Sequence, residues 1–170
     1  MLDETIILET PPLYACYSRI GQQYCVPISG SHARRIVHGA LNVWSGDVIL
    51  LISNVWDQIT HQFFLQLIRR HWRGWQIVLF EDRGSPHTAN DSLELADRLG
   101  IQIRFLPRAT SELNAMDQLW RQTKPNVLAN RATLTIDASA MQLCDHIYDL
   151  TPHERLVKAG VLSGNFWLSR

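Results

Sequence analysis

The 170-residue sequence predicts an α/β fold, with a mixed β-sheet flanked by helices and a helical C-terminal tail. Three observations predict it. Two β-favouring runs early in the chain are joined by a short Gly-containing turn, which is a hairpin signal. From Asp57 onward helix-like and strand-like segments alternate, the pattern of crossover units in a partly parallel sheet. From Ile136 onward the period is helical alone.

Each element has its own warrant. Leu2 to Leu8 is apolar and β-rich around Asp3, Glu4 and Thr5, so it reads as a strand. Pro11 to Gly30 has no clear period and reads as a long connection, with one irregular strand around Gln23 to Pro27. Arg34 to Val43 and Val48 to Ile52 form the hairpin, turning at Trp44-Ser45-Gly46-Asp47. Asp57 to Arg70 is helical, with Ile59, Phe63 and Leu67 spaced by four. Ile77 to Phe80 is apolar without alternation, as in a strand covered on both faces, and Glu81 and Asp82 close it. Arg83 to Asn90 reads as a loop. Thr88 or Asp91 can cap a helix that runs to Leu99 and stops at Gly100. Ile101 to Phe105 alternates and reads as a half-exposed strand near the sheet edge. A turn rich in Pro, Thr and Ser then opens a helix holding Asp117, which Pro125 and Asn130 interrupt. Ile136, Ala140, Leu143, Ile147 and Leu150 mark an amphipathic helix. Thr151-Pro152-His153-Glu154 supplies a cap, a first-turn Pro and a capping-box acid for a last short helix ending at Gly160.

Bulk properties narrow the function classes. No apolar run approaches the roughly 20 residues of a membrane span and no leader-like segment opens the chain, so a cytoplasmic protein is expected. Cys16, Cys25 and Cys144 are odd in number and widely spaced, which suits reduced thiols rather than a disulfide framework or zinc knuckle. Sixteen basic residues balance sixteen acidic ones, which argues against a surface that grips DNA all over. A local basic track through Arg34, Arg35, Arg69, Arg70 and Arg73 is compatible with that balance, as are merely solvated element ends. No Gly-rich phosphate loop follows a strand, which disfavours Rossmann and P-loop enzymes.

The chemistry concentrates on three acids. Asp3 lies in the first strand, Asp82 at the carboxyl end of a later one, and Asp117 in the first turn of a helix, 34 residues beyond Asp82. Carboxylates on separate elements suit divalent metals, since Mg²⁺ takes oxygen ligands and few protein carboxylates. Each acid also has a plainer reading. Asp117 follows Asn114 by three, as in a capping box, and precedes Arg121 by four, as in a helical ion pair. Asp82 can be a turn residue, and Glu4 competes with Asp3.

The segments LDET, VLFEDRGSPHTA and FLPRATSELNAMDQLWRQTK resemble the three signature blocks of DDE-superfamily transposases of the mariner-related insertion-sequence type. RRIVHGALNVWSGDV also resembles the family's run before its first helix. The resemblance implies a ribonuclease H-like fold, with residues 1–135 as the catalytic domain and 136–170 as a helical extension packed on it. It implies a catalytic and metal-binding triad of Asp3, Asp82 and Asp117 holding two Mg²⁺ or Mn²⁺ ions. Glu4, His87, Asn114, Trp120, Arg121 and Lys124 fall at supporting or DNA-contacting positions. The implied activity is DNA cleavage at insertion-sequence ends followed by strand transfer. Implied partners are double-stranded DNA and a second copy or a DNA-binding transposase half, with no membrane, in a prokaryotic cytoplasm at the nucleoid. The sequence departs from the family at Arg83, where Asn is usual, and at Ser111 and Ala115, where Pro is usual. It also lacks a counterpart of the family's N-terminal helix-turn-helix region, so a catalytic half of a split or decayed element is expected. A non-catalytic remnant that only binds, and a general ribonuclease H-like nuclease, are the alternatives.

Overall fold

Alternating apolar residues in the first 53 positions form an antiparallel meander of β1 (Leu2–Leu8), β2 (Arg34–Leu41) and β3 (Val48–Ser53). The computed structural model describes residues 1–28, 30–131 and 135–168. In the β1–β2 register Asp3 faces Gly39 and Glu4 faces His38. Reciprocal hydrogen bonds between Met1 and Leu41 extend that ladder. A second sheet pairs β4 (Ile77–Glu81) with β5 (Ile101–Phe105) in parallel, Glu81 beside Phe105. β1 lies against β4, but among the described residues the strands form two hydrogen-bonded sheets rather than the single mixed sheet expected. An apolar groove of about 410 Å³ runs between them, lined by Met1, Leu41, Val43, Ile77, Leu79 and Phe80 among others.

Because neighbouring side chains on a strand point to opposite faces, the meander feeds two cores. On one face Ile7, Val37, Leu41 and Val48 pack with α4 (Ala115–Leu128), α5 (Ile136–Asp149) and α6 (Pro152–Lys158) through Met116, Leu119, Leu143, Ile147 and Leu156. On the other, Leu2 and Ala40 pack with Phe64, Leu65 and Ile68 of α1 (Gln58–His71) and with Leu79 and Ile101. Ala96 of α3 (Asn90–Arg98) completes that cluster. Asp3 and Glu4, being adjacent, therefore serve opposite faces of the meander.

The structure differs from the sequence reading in several places. No strand forms at Gln23 to Pro27. The period Ile59, Phe63, Leu67 identified α1 but not its inner face: Ile59 is 76% and Phe63 50% exposed, while His61, Phe64, Leu65 and Ile68 are buried. Val78 in β4 is also exposed, so that strand is covered on one face there. A one-turn helix, α2 (Ser85–Thr88), occupies the expected loop, with Pro86 in its first turn. Neither Thr88 nor Asp91 caps α3: Thr88 Oγ1 donates to Gly84 O, and Asp91 accepts from Gln58. Pro125 does not break α4, which continues to Leu128 although the proline leaves Arg121 O without its i+4 donor. Asn130, at φ 56°, makes the turn that follows.

Candidate active site

Three elements deliver the three acids to one cleft. Asp3 is the second residue of β1, Asp82 follows the last residue of β4, and Asp117 stands in the first turn of α4. All three line a cavity of about 430 Å³, with Arg83, Gly84, Arg108, Ser111 and Asn114 among the other wall residues. The loop Leu106–Ser111 forms the wall facing Arg83 and Gly84, and contains Ala109 in the left-handed region at φ 57°.

Anchoring is specific at each acid. Asn114 caps α4, accepting from Met116 N at 3.0 Å, and its amide donates to Leu2 O at 2.8 Å. One side chain thus fixes the helix start that carries Asp117 against the strand that carries Asp3. Asp82 Oδ1 accepts from Gly84 N at 2.9 Å and contacts His87 Nδ1 at 2.7 Å. The His87 hydrogen bond, working against partial burial, holds the Asp82 carboxyl below its usual range. Gly84 is needed for close approach, since a Cβ there would lie 2.8 Å from the Trp56 ring and 3.2 Å from Asp82 Oδ1.

The electrostatics are those of crowded carboxylates, felt most at Asp3. Burial pushes the Asp3 carboxyl up to about 8, and the negative neighbours Glu4, Asp117 and Asp82 push in the same direction. Arg121 Nη2 stands 2.9 Å from Asp117 Oδ2 as an ion pair, while its hydrogen bond goes to Ser111 Oγ. Asp117 Oδ2 is buried, with the Arg121 guanidinium as its ion-pair partner. Three carboxylates lining one cleft are an oxygen donor set that fits Mg²⁺ or Mn²⁺.

The remaining expected residues divide by burial. His87 and Asn114 are buried at 1% and 2% exposure, and Trp120 is buried against Gly39. Lys124 Nζ donates to Ile6 O at 2.5 Å and to Thr5 Oγ1 at 3.3 Å, tying α4 to β1. Arg121 is the exposed member of the set. Glu4, set beside Asp3 as an alternative third acid, points its contacts elsewhere: Oε1 lies 3.1 Å from His87 Nε2 and 3.3 Å from His38 Nδ1. Those hydrogen bonds outweigh burial and bring its carboxyl down to about 2. For His87 the same balance, burial opposed by hydrogen bonds to Asp82 and Glu4, holds the imidazole up at about 11. The basic residues do not form one track: Arg34 and Arg35 begin β2, while Arg69 and Arg70 end α1 near Asp47, at the other end of the hairpin. Arg35 is paired with Asp137 at 2.6 Å.

Three buried groups lie beside the acids, and of these His38 and His61 escaped the sequence reading of the site. His38, His61 and Glu81 are all fully buried next to Glu4 and His87. A signal for His61 existed, since 61, 64, 65 and 68 share one helical stripe. Glu81 shares with Asp82 the carboxyl end of a strand, where open α/β sheets place their chemistry, but it is fully buried and faces inward.

A protein-family profile described as DDE superfamily endonuclease matches residues 1–138. Among curated proteins, none matches the chain. Solved structures similar to it include the Mos1 mariner paired end complex with Mn (TM-score 0.74, 15% identity, 95% of this chain and 51% of that one). The corresponding complex with Mg gives a TM-score of 0.72 at 16% identity, over the same shares of the two chains. The catalytic domain of Mos1 mariner transposase gives 0.66 at 13% identity, over 95% of this chain and 74% of that one. The chain spans about half the length of the Mos1 chains in the two complexes, 51%, and shares the ribonuclease H-like α/β fold of that catalytic domain. With the profile covering residues 1–138 of 170, the chain belongs to the DDE superfamily endonuclease family.

Proposed function

We propose that this chain is the catalytic domain of an insertion-sequence transposase, cleaving DNA at element ends and joining the freed 3′ hydroxyl to target DNA. The observation that carries the reading is the meeting of Asp3, Asp82 and Asp117, from three separate elements, in one cleft. In this reading the three carboxylates hold two divalent ions, Mg²⁺ or Mn²⁺. Such a pair makes a water or hydroxyl nucleophilic and stabilises the departing oxygen in an in-line displacement.

The chain's own residues set the conditions for that chemistry. Asn114 holds the Asp117 turn against β1, which fixes the distance between helix-borne and strand-borne acids. His87 holds Asp82 Oδ1, so one carboxylate oxygen is committed to orientation. Arg83 and Arg108 on the cleft wall supply positive charge for DNA phosphates, contacts that position a duplex without reading its bases. Arg83, which replaces the usual Asn, packs over the Phe105 ring at 5.2 Å and is thereby held beside the cleft. Residues 136–170 act as part of the same domain. A second copy, or a separate DNA-binding half, supplies end recognition, in the cytoplasm at the nucleoid. Among the described residues no helix is long and apolar enough to cross a membrane.

Nicking of a supercoiled plasmid and of an end-bearing duplex, with Mg²⁺ or Mn²⁺, tests the reading. Asp82→Asn and Asp117→Asn are each expected to lower the nicking rate by at least about a hundredfold, as loss of a metal-held transition state implies. Unchanged nicking in both variants would sink the triad. Joining of a 3′-hydroxyl donor end to target DNA separates a transposase from a general nuclease, which nicks but does not join.

A further inference from the structure

Behind the cleft, on the opposite face of β1, lies a second group of ligand-type side chains that the proposed chemistry does not use. One ligand atom each from Glu4, His61 and His87 lies within 4.8 Å of the others. Glu81 joins them, its Oε2 3.7 Å from His61 Nε2. His61, Glu81 and His87 are 0–1% exposed, and the Glu4 side chain only 11%.

The hydrogen-bond accounting there does not close. Both ring nitrogens of His61 and both carboxylate oxygens of Glu81 are buried without a hydrogen-bond partner among the described residues. Buried polar groups are paired in all but a few cases, and an orphaned one costs on the order of 1–3 kcal/mol. Four orphaned atoms on two facing side chains indicate a shared missing partner. The distance of 3.7 Å is too long for a direct hydrogen bond but suits two ligands of one ion.

We propose that Glu4, His61, Glu81 and His87 form a closed site for one transition-metal ion of the zinc class, distinct from the ions of the cleft. Two imidazoles and two carboxylates are the donor types such an ion takes in four-coordinate sites. Charge balances once the ion displaces the proton on His87 Nε2, because two carboxylates and two neutral imidazoles then offset a divalent cation in a buried space. His87 already has the outer partner of a metal-bound histidine, Nδ1 meeting Asp82 Oδ1 at 2.7 Å. Its Nε2, which meets Glu4 Oε1 at 3.1 Å, would release its proton to solvent as the ion takes its place. His87 Nε2 and Glu4 Oε1, 3.1 Å apart, are already near the spacing of about 3.4 Å that metal–ligand bonds of about 2.0–2.1 Å imply for a tetrahedral site. His61 must approach by a small rotation. The ion would set the ring orientation of His87 and through it that of Asp82, so the site positions the cleft rather than acting on DNA.

The test uses the whole chain, stripped with chelator and then given Zn²⁺ or Co²⁺ alone. One tightly held equivalent is expected after dialysis. X-ray absorption of the Zn²⁺-loaded protein should show nitrogen and oxygen ligands with imidazole scattering and no sulfur, which excludes capture by the exposed Cys16 and Cys25. Co²⁺ should give the visible bands of a four-coordinate ion. His61→Gln is expected to weaken binding by at least about tenfold, whereas Asp117→Asn, confined to the cleft, should leave it intact. The proposal is overturned by no retained equivalent, by an oxygen-only or sulfur-bound ion, or by binding that Asp117→Asn abolishes and His61→Gln does not. If His61→Gln fails to fold, the absorption spectrum of the unaltered protein decides alone. Nicking activity enters none of these readouts, so the inference and the transposase reading stand or fall separately.

Discussion

Residue by residue, the site depends on a few side chains that each make two connections. Asn114 is the clearest case, because it caps α4 through one end of its amide and grips β1 through the other. Asn114→Ala removes both bonds and leaves Leu2 O without this donor, in a residue that is 2% exposed. The cap alone is worth about 1 kcal/mol, and the buried hydrogen bond about as much again. We expect a loss of about 2 kcal/mol in urea unfolding, together with a nicking defect, since Asp117 is then no longer held to Asp3. A variant with full activity and a loss below about 0.5 kcal/mol would show that α4 is positioned by packing alone. Sequence alone revealed Asn114 as a cap from its spacing to Asp117. Its second bond, to a strand 112 residues away, has no local signature.

At the scale of elements, the hairpin turn is a junction that holds helices to a sheet. The hairpin turn presses Gly46 against the start of α6, so that a Cβ at Gly46 would fall 2.2 Å from Pro152 O. Gly46 also has φ 75°, where only glycine is unstrained. Arg155, 8% exposed, donates to Gly46 O, Ile147 O and Tyr148 O, fastening α6 to the turn and to the end of α5. Gly46→Ala therefore combines left-handed strain with a main-chain clash and should cost about 2–4 kcal/mol. Asp57→Ala, which removes the α1 cap, chiefly the bond from Thr60 N at 2.8 Å, should cost about 1 kcal/mol. Urea midpoints of the two variants check the order; equal losses would mean that α6 yields at the turn. The elements were legible where one local signal sufficed. Thr151-Pro152-His153-Glu154 forms the anticipated capping box, and Ile136, Ala140, Leu143 and Ile147 form the anticipated buried stripe. They misled where two apolar stripes shared a helix: in α1 the stripe of Ile59 and Phe63 faces out, because His61 follows the inner one.

For the molecule as a whole, the separation of the sheets gives the proposed cleft ions a mechanical role. Asp3 belongs to the meander, Asp82 follows the parallel pair, and no ladder joins these sheets among the described residues. Ions held by both acids would clamp the two sheets; without ions the same acids repel. The resemblance to known blocks pointed to these three acids, but not to this division, which arises from pairings across the chain. Asp3→Asn exposes both effects. In chelator, the folded Asp3 carboxyl, raised to about 8 by burial and by Glu4, Asp117 and Asp82, keeps a proton that the unfolded chain releases near its ordinary 3.8. Its contribution is therefore fully present below about pH 4 and is lost as pH rises to about 8. Asn cannot ionise, so the variant should gain on the unaltered protein across that window and be the more stable of the two at pH 8. Saturating Mn²⁺ should reverse the order. An ion at 100 times its dissociation constant stabilises the folded state by about 2.7 kcal/mol, a rise of very roughly 5–10 °C at this size, and the variant should receive much less of it. Thermal unfolding at pH 5 and pH 8, with chelator or Mn²⁺, reads all four combinations. Parallel pH curves in chelator would remove the crowded-acid account of Asp3, and an equal Mn²⁺ gain in both proteins would remove Asp3 from the clamp.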